Sequence, residues 1–186
     1  MTTPATPLLR RVGRTRSGRE YVIRPAGADD AAALVALRDA VAGEGRWVAA
    51  EPGERTVLEE SLALAGLLSH GGLSLVAELD GALAGQLAVQ RRLGGYEGHR
   101  GDLSITVARE HREQGLGRAL VETAIDWARA VHLGKLTLGV FPENVRAIAL
   151  YRSVGFVEEG RLGRHLRVGG EFRDLVLMGL LLAPRI

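Results

Sequence analysis

The chain has 186 residues and a mass of 19.9 kDa, which corresponds to roughly one domain. Cysteine is absent, which excludes disulfides, a thiol nucleophile and zinc sites built on cysteine. The net charge is only +2 because 22 acidic residues are interspersed with 24 basic ones, so a nucleic-acid-binding surface is disfavoured. The longest apolar run, 175–183, is about half as long as a membrane span, and we expect a cytoplasmic protein without a secretory signal.

Residues 1–19 form the first distinct segment. They carry Thr, Pro and Gly, with five arginines between Arg10 and Arg19, and they show no hydrophobic periodicity. We interpret them as a flexible basic tail and residues 20–186 as one folded domain. Binding of this tail to nucleic acid is the alternative, and it predicts a salt-sensitive RNA affinity that is lost when the tail is deleted.

The first part of the domain predicts one strand and two helices. Residues 21–25 form a short strand that a proline ends. Asp29 or Asp30 caps a helix whose apolar residues recur at helical spacing as far as Val41. Residues 54–69 show the same spacing and predict the second helix.

The periodicity changes at Leu73, where apolar and polar residues begin to alternate. Asp80 and Gly81 between two such runs indicate a β-hairpin, while Asn144 caps a helix that Gly155 follows. The remaining predicted elements are strands at 73–79, 83–93 and 103–107, a helix at 116–131, a strand at 135–141, a helix at 144–154, and strands at 156–161 and 172–181. This order indicates one α/β domain built on a mixed sheet.

The segment between strand 103–107 and the following helix carries the clearest chemical signal. Gly115 and Gly117 allow the backbone to approach a ligand closely, because a side chain there would clash with it. The first amides of the helix have no acceptor within it, and with the helix dipole they attract an anion such as pyrophosphate. Arg112 and Arg118 add positive charge. The segment therefore predicts a phosphate-binding loop, with a simple tight turn as the alternative.

Two common phosphate-binding signatures do not fit this loop. A P-loop needs Lys and then Ser or Thr after its second glycine, whereas Arg118 and Ala119 follow here. A dinucleotide-binding loop needs a third small residue, whereas Leu120 stands there. The pattern Arg-x-x-Gly-x-Gly between a strand and a helix instead resembles a signature of the GNAT acetyltransferase superfamily.

A second segment, 141–156, is similar to the other signature of the same superfamily. The two signatures occur in the family's order, about 30 residues apart, and the likeness extends over roughly residues 21–182. It implies an α/β fold with a mixed, mainly antiparallel central sheet of about seven strands flanked by four helices. The residues that carry this second likeness are Asn144, Ala147, Leu150, Tyr151, Gly155 and Phe156.

The resemblance implies direct transfer of acetyl from acetyl-CoA to an amine, without a metal. Amides of Ile105, Thr106 and Val107 would pair with the pantetheine arm, and one of them would polarise the thioester carbonyl. Asn144 would contact the pantetheine arm or cap its helix, and Tyr151 would protonate the departing thiolate. The diphosphate would be held by Arg112, Glu113, Gln114, Gly115, Leu116, Gly117 and Arg118.

The general base is marked less clearly than the acetyl-CoA site. Several members of the resembled family carry a glutamate in the strand position that Gly139 occupies here. Asp102 is the first candidate to replace that glutamate, followed by Glu97 and Glu143, and a chain of water molecules is a further alternative. Each of these carboxylates can equally be a solvated surface group.

The acceptor site is expected in the loop that contains Glu44, Trp47 and Glu51, because the corresponding segment lines that site in the family. Carboxylates there would suit a cationic amine. Residues 159–174 resemble branches that act on small amino compounds and on the N-termini of ribosomal proteins, so both acceptor classes are kept. The family also admits a homodimer.

The leading hypothesis is therefore an N-acetyltransferase that acts on the primary amine of a small compound or a protein N-terminus. A non-catalytic acyl-CoA-binding sensor is the alternative, because the strand lacks the glutamate at Gly139. Metal catalysis is disfavoured, since the five histidines are scattered without close pairs.

Overall fold

Eight strands form one sheet in the computed structural model, which describes residues 9–92 and 94–182. In chain order the elements are β1 (Arg11–Arg14), β2 (Glu20–Pro25), α1 (Ala31–Ala42), α2 (Val57–Ser69), β3 (Leu73–Leu79), β4 (Ala82–Arg91), β5 (Arg100–Val107), α3 (Leu116–Ala130), β6 (Lys135–Val140), α4 (Val145–Ser153), β7 (Val157–Val168) and β8 (Glu171–Leu181). The spatial order is β1-β2-β3-β4-β5-β6-β8-β7, and neighbours run antiparallel except β5 and β6, which run parallel. This mixed sheet with four helices confirms the predicted fold class.

Helices pack on both faces of the sheet. Side chains alternate along β3, so Leu75 packs in the core with Leu120 of α3, while Val76 points to the opposite face. There Val76 packs with Leu34 of α1 and Leu64 of α2. The two apolar layers hold the sheet between the helix pairs and fix the start of α3 beside the end of β5.

The N-terminal segment is more ordered than the sequence predicts. Flexibility is predicted through residue 19, but Arg11–Arg14 forms β1 and pairs antiparallel with β2 over its whole length. The sequence carries no signal for this strand because it lies at the sheet edge, where backbone pairing stabilises it and Val12 stays exposed. This strand raises the strand count from about seven to eight. Residues 1–8 of the predicted tail lie outside the described residues.

Other boundaries differ from the prediction by a few residues. β7 continues to Val168, well beyond the predicted end at 161, because it forms a long hairpin with β8. β4 ends at Arg91, and residue 93, the predicted last residue of that strand, lies outside the described residues. Within the described ranges, no helix combines the length and the apolar character that crossing a bilayer requires.

Candidate active site

The sheet opens between its two parallel strands. β5 and β6 pair only at their beginnings, and the last pair in register is Asp102 with Thr137. Beyond that pair, β5 remains joined to β4 as far as Val107, and β6 remains joined to β8 as far as Val140. The two strands therefore diverge and leave a gap between residues 103–107 and 138–140.

The backbone of β5 presents unpaired hydrogen-bonding groups to this gap. The Ala108 amide donates to the Ala84 carbonyl at 2.9 Å, on the β4 side. Backbone groups of a strand alternate in direction, so the amides of Ile105 and Val107, which lie beyond the last pair with β6, face away from β4 and into the gap. The sequence predicts that Thr106 contributes its amide to a ligand, but this alternation turns the Thr106 amide to β4. The gap thus exposes a strand edge to which an extended chain of amide groups can pair.

The start of α3 lies at the end of β5 and forms a backbone cradle. Glu113 and Gly115 adopt left-handed backbone angles, with φ of 62° and 94°, which turn the chain sharply into the helix. The amides of the first helical residues, 116–118, have no acceptor within the helix. At Gly117 a Cβ atom would lie 3.3 Å from Leu150 Cδ2, so the glycine lets α3 approach α4 closely. The cradle combines unpaired donors with the positive end of the helix dipole, as anion binding requires.

Two predicted site residues bind each other. Arg112 forms a paired contact with the Glu44 carboxylate, with nitrogen–oxygen distances of 2.8 and 2.5 Å, and its Nε donates to the Val107 carbonyl at 3.0 Å. The Arg112 guanidinium holds the pKa of Glu44 below its usual range. The sequence predicts the Arg112 side chain at a diphosphate and Glu44 at an amine, whereas in the structure the two side chains bind each other. The pair instead joins the loop after α1 to the end of β5.

The other arginine of the motif is more accessible. Arg118 donates to the Ser153 hydroxyl of α4 at 2.7 Å, and its side chain keeps 47% of its surface exposed. A longer contact of 3.6 Å joins Arg118 to Glu122 on the same helix. Arg118 is therefore placed beside the first turn of α3 with donors still open to solvent.

Tyr151 lies on α4 and is almost completely buried. Only 6% of its surface is exposed, and its ring packs against Phe156 with 5.9 Å between the ring centroids. Burial raises the pKa of Tyr151 to about 12, so the phenol is protonated at neutral pH, as a general acid must be. Asn144 begins the same helix, and its Oδ1 accepts from the Ala147 amide at 3.2 Å. Of the two roles predicted for Asn144, the structure shows the helix cap.

The candidate bases differ in their surroundings. Asp102 stands at the last pair before the strands diverge, where it accepts from Thr137 Oγ1 at 2.5 Å and from Arg92 Nε at 2.7 Å. Glu97 pairs with Arg100 at 3.2 Å, away from the gap, and Glu143 is exposed.

Gly139 lies on the β6 side of the gap, and a side chain at this position would displace that of Leu175. A Cβ atom there would lie 2.8 Å from Leu175 Cδ2, because Leu175 of β8 covers the position.

Trp47, predicted at the acceptor site, is half-buried beside Leu37, and Arg46 stacks over its ring at 5.2 Å.

One contact at the cradle carries no local sequence signal. The turn between β1 and β2 touches the loop before α3 through Arg16 and Gln114, which are 98 residues apart in the chain. No spacing pattern within either segment indicates this contact. It becomes visible only after β1 is placed at the sheet edge.

Comparisons with known proteins agree with this architecture. The profile of the Acetyltransferase (GNAT) family matches residues 34–156. A GNAT-family acetyltransferase structure from Streptococcus pneumoniae is 34% identical, covers 87% of this chain and 99% of its own, and superimposes with a TM-score of 0.80. A structure of yncA from Salmonella typhimurium with its cofactor acetyl-CoA covers 89% of this chain and 95% of its own, with a TM-score of 0.82, and at 23% identity it shows the fold alone.

Among curated proteins, spermidine N(1)-acetyltransferase of Vibrio cholerae is 36% identical over 81 residues, which is 43% of this chain and 47% of that protein. The chain thus spans about half the length of this curated relative. The assignment to a family rests instead on the family profile and the Streptococcus structure, which cover most of the domain. The chain belongs to the GNAT acetyltransferase family.

Proposed function

We propose that this chain is an N-acetyltransferase that moves acetyl from acetyl-CoA directly to a primary amine. The observation that carries the proposal is the gap between β5 and β6, which presents the unpaired amides of Ile105 and Val107 next to the cradle at α3. The Salmonella structure with acetyl-CoA and the Vibrio spermidine acetyltransferase support the nature of the donor and of the acceptor.

Acetyl-CoA fits the unpaired donors as a substrate. Its pantetheine arm contains two amides, which pair with the free edge of β5 at Ile105 and Val107 in the manner of an added strand. The diphosphate occupies the cradle formed by the amides of residues 114–118, with Arg118 beside it. An amide in the gap polarises the thioester carbonyl and stabilises the oxyanion that forms on attack.

The transfer itself needs two proton movements. The amine loses a proton and attacks the carbonyl carbon, so the carbon–nitrogen bond forms and the carbon–sulfur bond then breaks. Asp102, the carboxylate at the point of divergence, accepts the amine proton directly or through a water molecule. Tyr151 donates its proton to the departing sulfur and is reprotonated from solvent. The absence of cysteine is consistent with this direct transfer, because no cysteine acyl-enzyme can form.

The second candidate function is binding of acyl-CoA without turnover. It is favoured by Gly139, which supplies no carboxylate on the β6 side of the gap and is covered by the side chain of Leu175. Both functions use the same cradle and strand edge, and they differ only in whether an acceptor reaches the thioester. Asp102 distinguishes them, since it is needed for catalysis and not for binding.

The test is incubation with acetyl-CoA and a panel of amines that includes a polyamine, free amino acids and peptides with a free N-terminus. We expect free CoA thiol to be released in the presence of one acceptor class, and mass spectrometry to show that this acceptor has gained an acetyl group. Tight CoA binding without any acetylated product would support the sensor function instead. Absence of CoA binding would reject both functions.

A further inference from the structure

The turn between β1 and β2, residues 15–18, contacts the loop that leads into α3. The Arg16 amide donates to the Gln114 carbonyl at 3.1 Å, and Arg16 Nη1 donates to the Glu113 carbonyl at 3.2 Å. The Ser17 amide donates to the Gln114 side-chain oxygen at 3.3 Å. Three donors of one turn therefore converge on two consecutive residues of the cradle.

The turn is held in place independently of these contacts. The Gly18 amide donates to the Thr15 carbonyl at 2.9 Å, and the buried Thr15 side chain accepts from the Arg19 amide at 3.1 Å. The Arg19 side chain donates through Nε to Asp80 in the β3–β4 turn at 2.9 Å, but both side chains are largely exposed, so this ion pair contributes little to holding the turn. The turn is thus a fixed support against which the loop rests.

These contacts fix the direction of two peptide planes. In a trans peptide the amide N–H points opposite to the carbonyl of the same plane. Because the carbonyls of Glu113 and Gln114 both point to the turn, the following amides, those of Gln114 and Gly115, both point away from it. Neither amide donates to a backbone acceptor within the described part of the chain. They lie next to the unpaired amides of residues 116–118 at the start of α3.

The loop conformation needs such support. Glu113 has a φ of 62°, a left-handed conformation that residues other than Gly, Asn and Asp rarely adopt. A strained backbone persists only where its surroundings hold it. The Glu113 carboxylate forms an ion pair with Arg146 at 3.1 Å, but 78% of the Arg146 side chain is exposed, so this contact contributes little to holding the loop.

We propose that the β1–β2 turn is a positioning element for the diphosphate cradle, acting through Arg16. It holds the amides of Gln114 and Gly115 toward the diphosphate of CoA, and it does not touch the ligand. The inference rests on the proposed function, because it concerns the same CoA site. It assigns a role to the arginine-containing segment that is independent of nucleic acid.

Two substitutions at Arg16 remove its contacts in steps. Arg16→Ala removes the solvent-exposed guanidinium bond and keeps the backbone bond. Arg16→Pro removes both bonds, and proline is favoured at this position because Arg16 is the second residue of the Thr15–Gly18 turn. Arg19→Ala is the matched control, since it removes the same charge from the same segment but contacts Asp80 rather than the cradle.

The experiment measures the Kd of CoA and of 3′-dephospho-CoA by calorimetry on the full chain, with circular dichroism to confirm folding. We expect both ligands to bind about threefold more weakly to Arg16→Ala and about tenfold more weakly to Arg16→Pro, from the one or two hydrogen bonds removed. The Arg19→Ala control should bind both ligands like the unaltered chain. Arg16→Lys, which retains a donor on a long side chain, should recover most of the affinity lost in Arg16→Ala.

Three results would overturn the inference. Unchanged affinity in a folded Arg16→Pro would show that the turn does not position the cradle. A loss confined to CoA, with 3′-dephospho-CoA unaffected, would show that Arg16 contacts the 3′-phosphate directly. Failure of the unaltered chain to bind either ligand would reject the proposed function, and this inference with it.

Discussion

Replacing Tyr151 by Phe is the sharpest perturbation of the proposed chemistry, because it removes one oxygen and leaves the ring. The ring is 6% exposed and packs on Phe156, and its hydroxyl has no hydrogen-bond partner among the described residues. The substitution should therefore change the free energy of unfolding by no more than about 0.5 kcal/mol. The cradle and the β5 edge are untouched, so the KM for acetyl-CoA should also stay unchanged.

The expected loss of turnover follows from the pKa of the acid. General acid catalysis contributes about 10²- to 10⁴-fold in enzymes. Burial raises the pKa of Tyr151 to about 12, whereas a thiol such as that of cysteine has a pKa of about 8.5. Proton transfer to a free thiolate is thus unfavourable, and the phenol helps only while the carbon–sulfur bond is breaking. We therefore expect a loss near or below the lower limit, about 10- to 100-fold in kcat.

The assay follows thiol release under saturating acetyl-CoA with the acceptor identified in the amine panel. Tyr21→Phe is the matched control, because Tyr21 is also buried, at 8% exposure, but lies on β2 away from the gap. Its kcat should equal that of the unaltered chain. If Tyr151→Phe turns over as fast as this control, Tyr151 is a core residue and not the general acid.

The remaining predictions concern stability. The pKa of Tyr151 is raised from 10.0 in the unfolded chain to about 12 in the folded one, so the unfolded state loses the phenol proton first as the pH rises. The free energy of unfolding should therefore fall between pH 10 and pH 12. Denaturant unfolding of Tyr151→Phe should show a fall that is smaller by about 2–3 kcal/mol at pH 12, because this variant has no phenol to ionise. Glu44→Gln should lower the free energy of unfolding by about 1–2 kcal/mol at pH 7, because it breaks the half-buried ion pair with Arg112. Since the pKa of Glu44 is lowered, that difference should shrink as the pH falls below 4.5, and a constant difference would contradict the ion-pair explanation. Gly139→Ala should destabilise by about 1–3 kcal/mol because its Cβ overlaps Leu175, and it should regain stability when combined with Leu175→Val.

The sequence predicts those parts of the fold that local chemistry determines. The alternation of apolar and polar residues from Leu73 onward predicts β3, and the apolar stripe of α3 predicts that helix, each to within a few residues. Burial on one face of an element leaves such a periodic signal in the sequence. The cap at Asn144 and the glycines of the cradle are equally local. β1 is different, since an exposed edge strand needs only a backbone partner and leaves no periodic pattern.

The candidate site likewise has parts that local sequence motifs predict and parts that depend on contacts between distant residues. The cradle at α3 and the position of Tyr151 follow from motifs, whereas the contact between Arg112 and Glu44 joins residues 68 positions apart. Charged side chains can bind each other or a ligand, and only the three-dimensional arrangement decides between the two. The same holds for Gly139, whose missing side chain is explained by Leu175 on a neighbouring strand.

A structure of the chain with CoA bound is the decisive measurement for the proposed acetyl-CoA site. We expect the pantetheine amides to lie about 3 Å from backbone groups of Ile105 and Val107, with the diphosphate at the amides of residues 114–118. We also expect the thiol end to lie in the gap beside Tyr151. CoA bound elsewhere, with the β5 edge and the cradle both empty, would contradict the account.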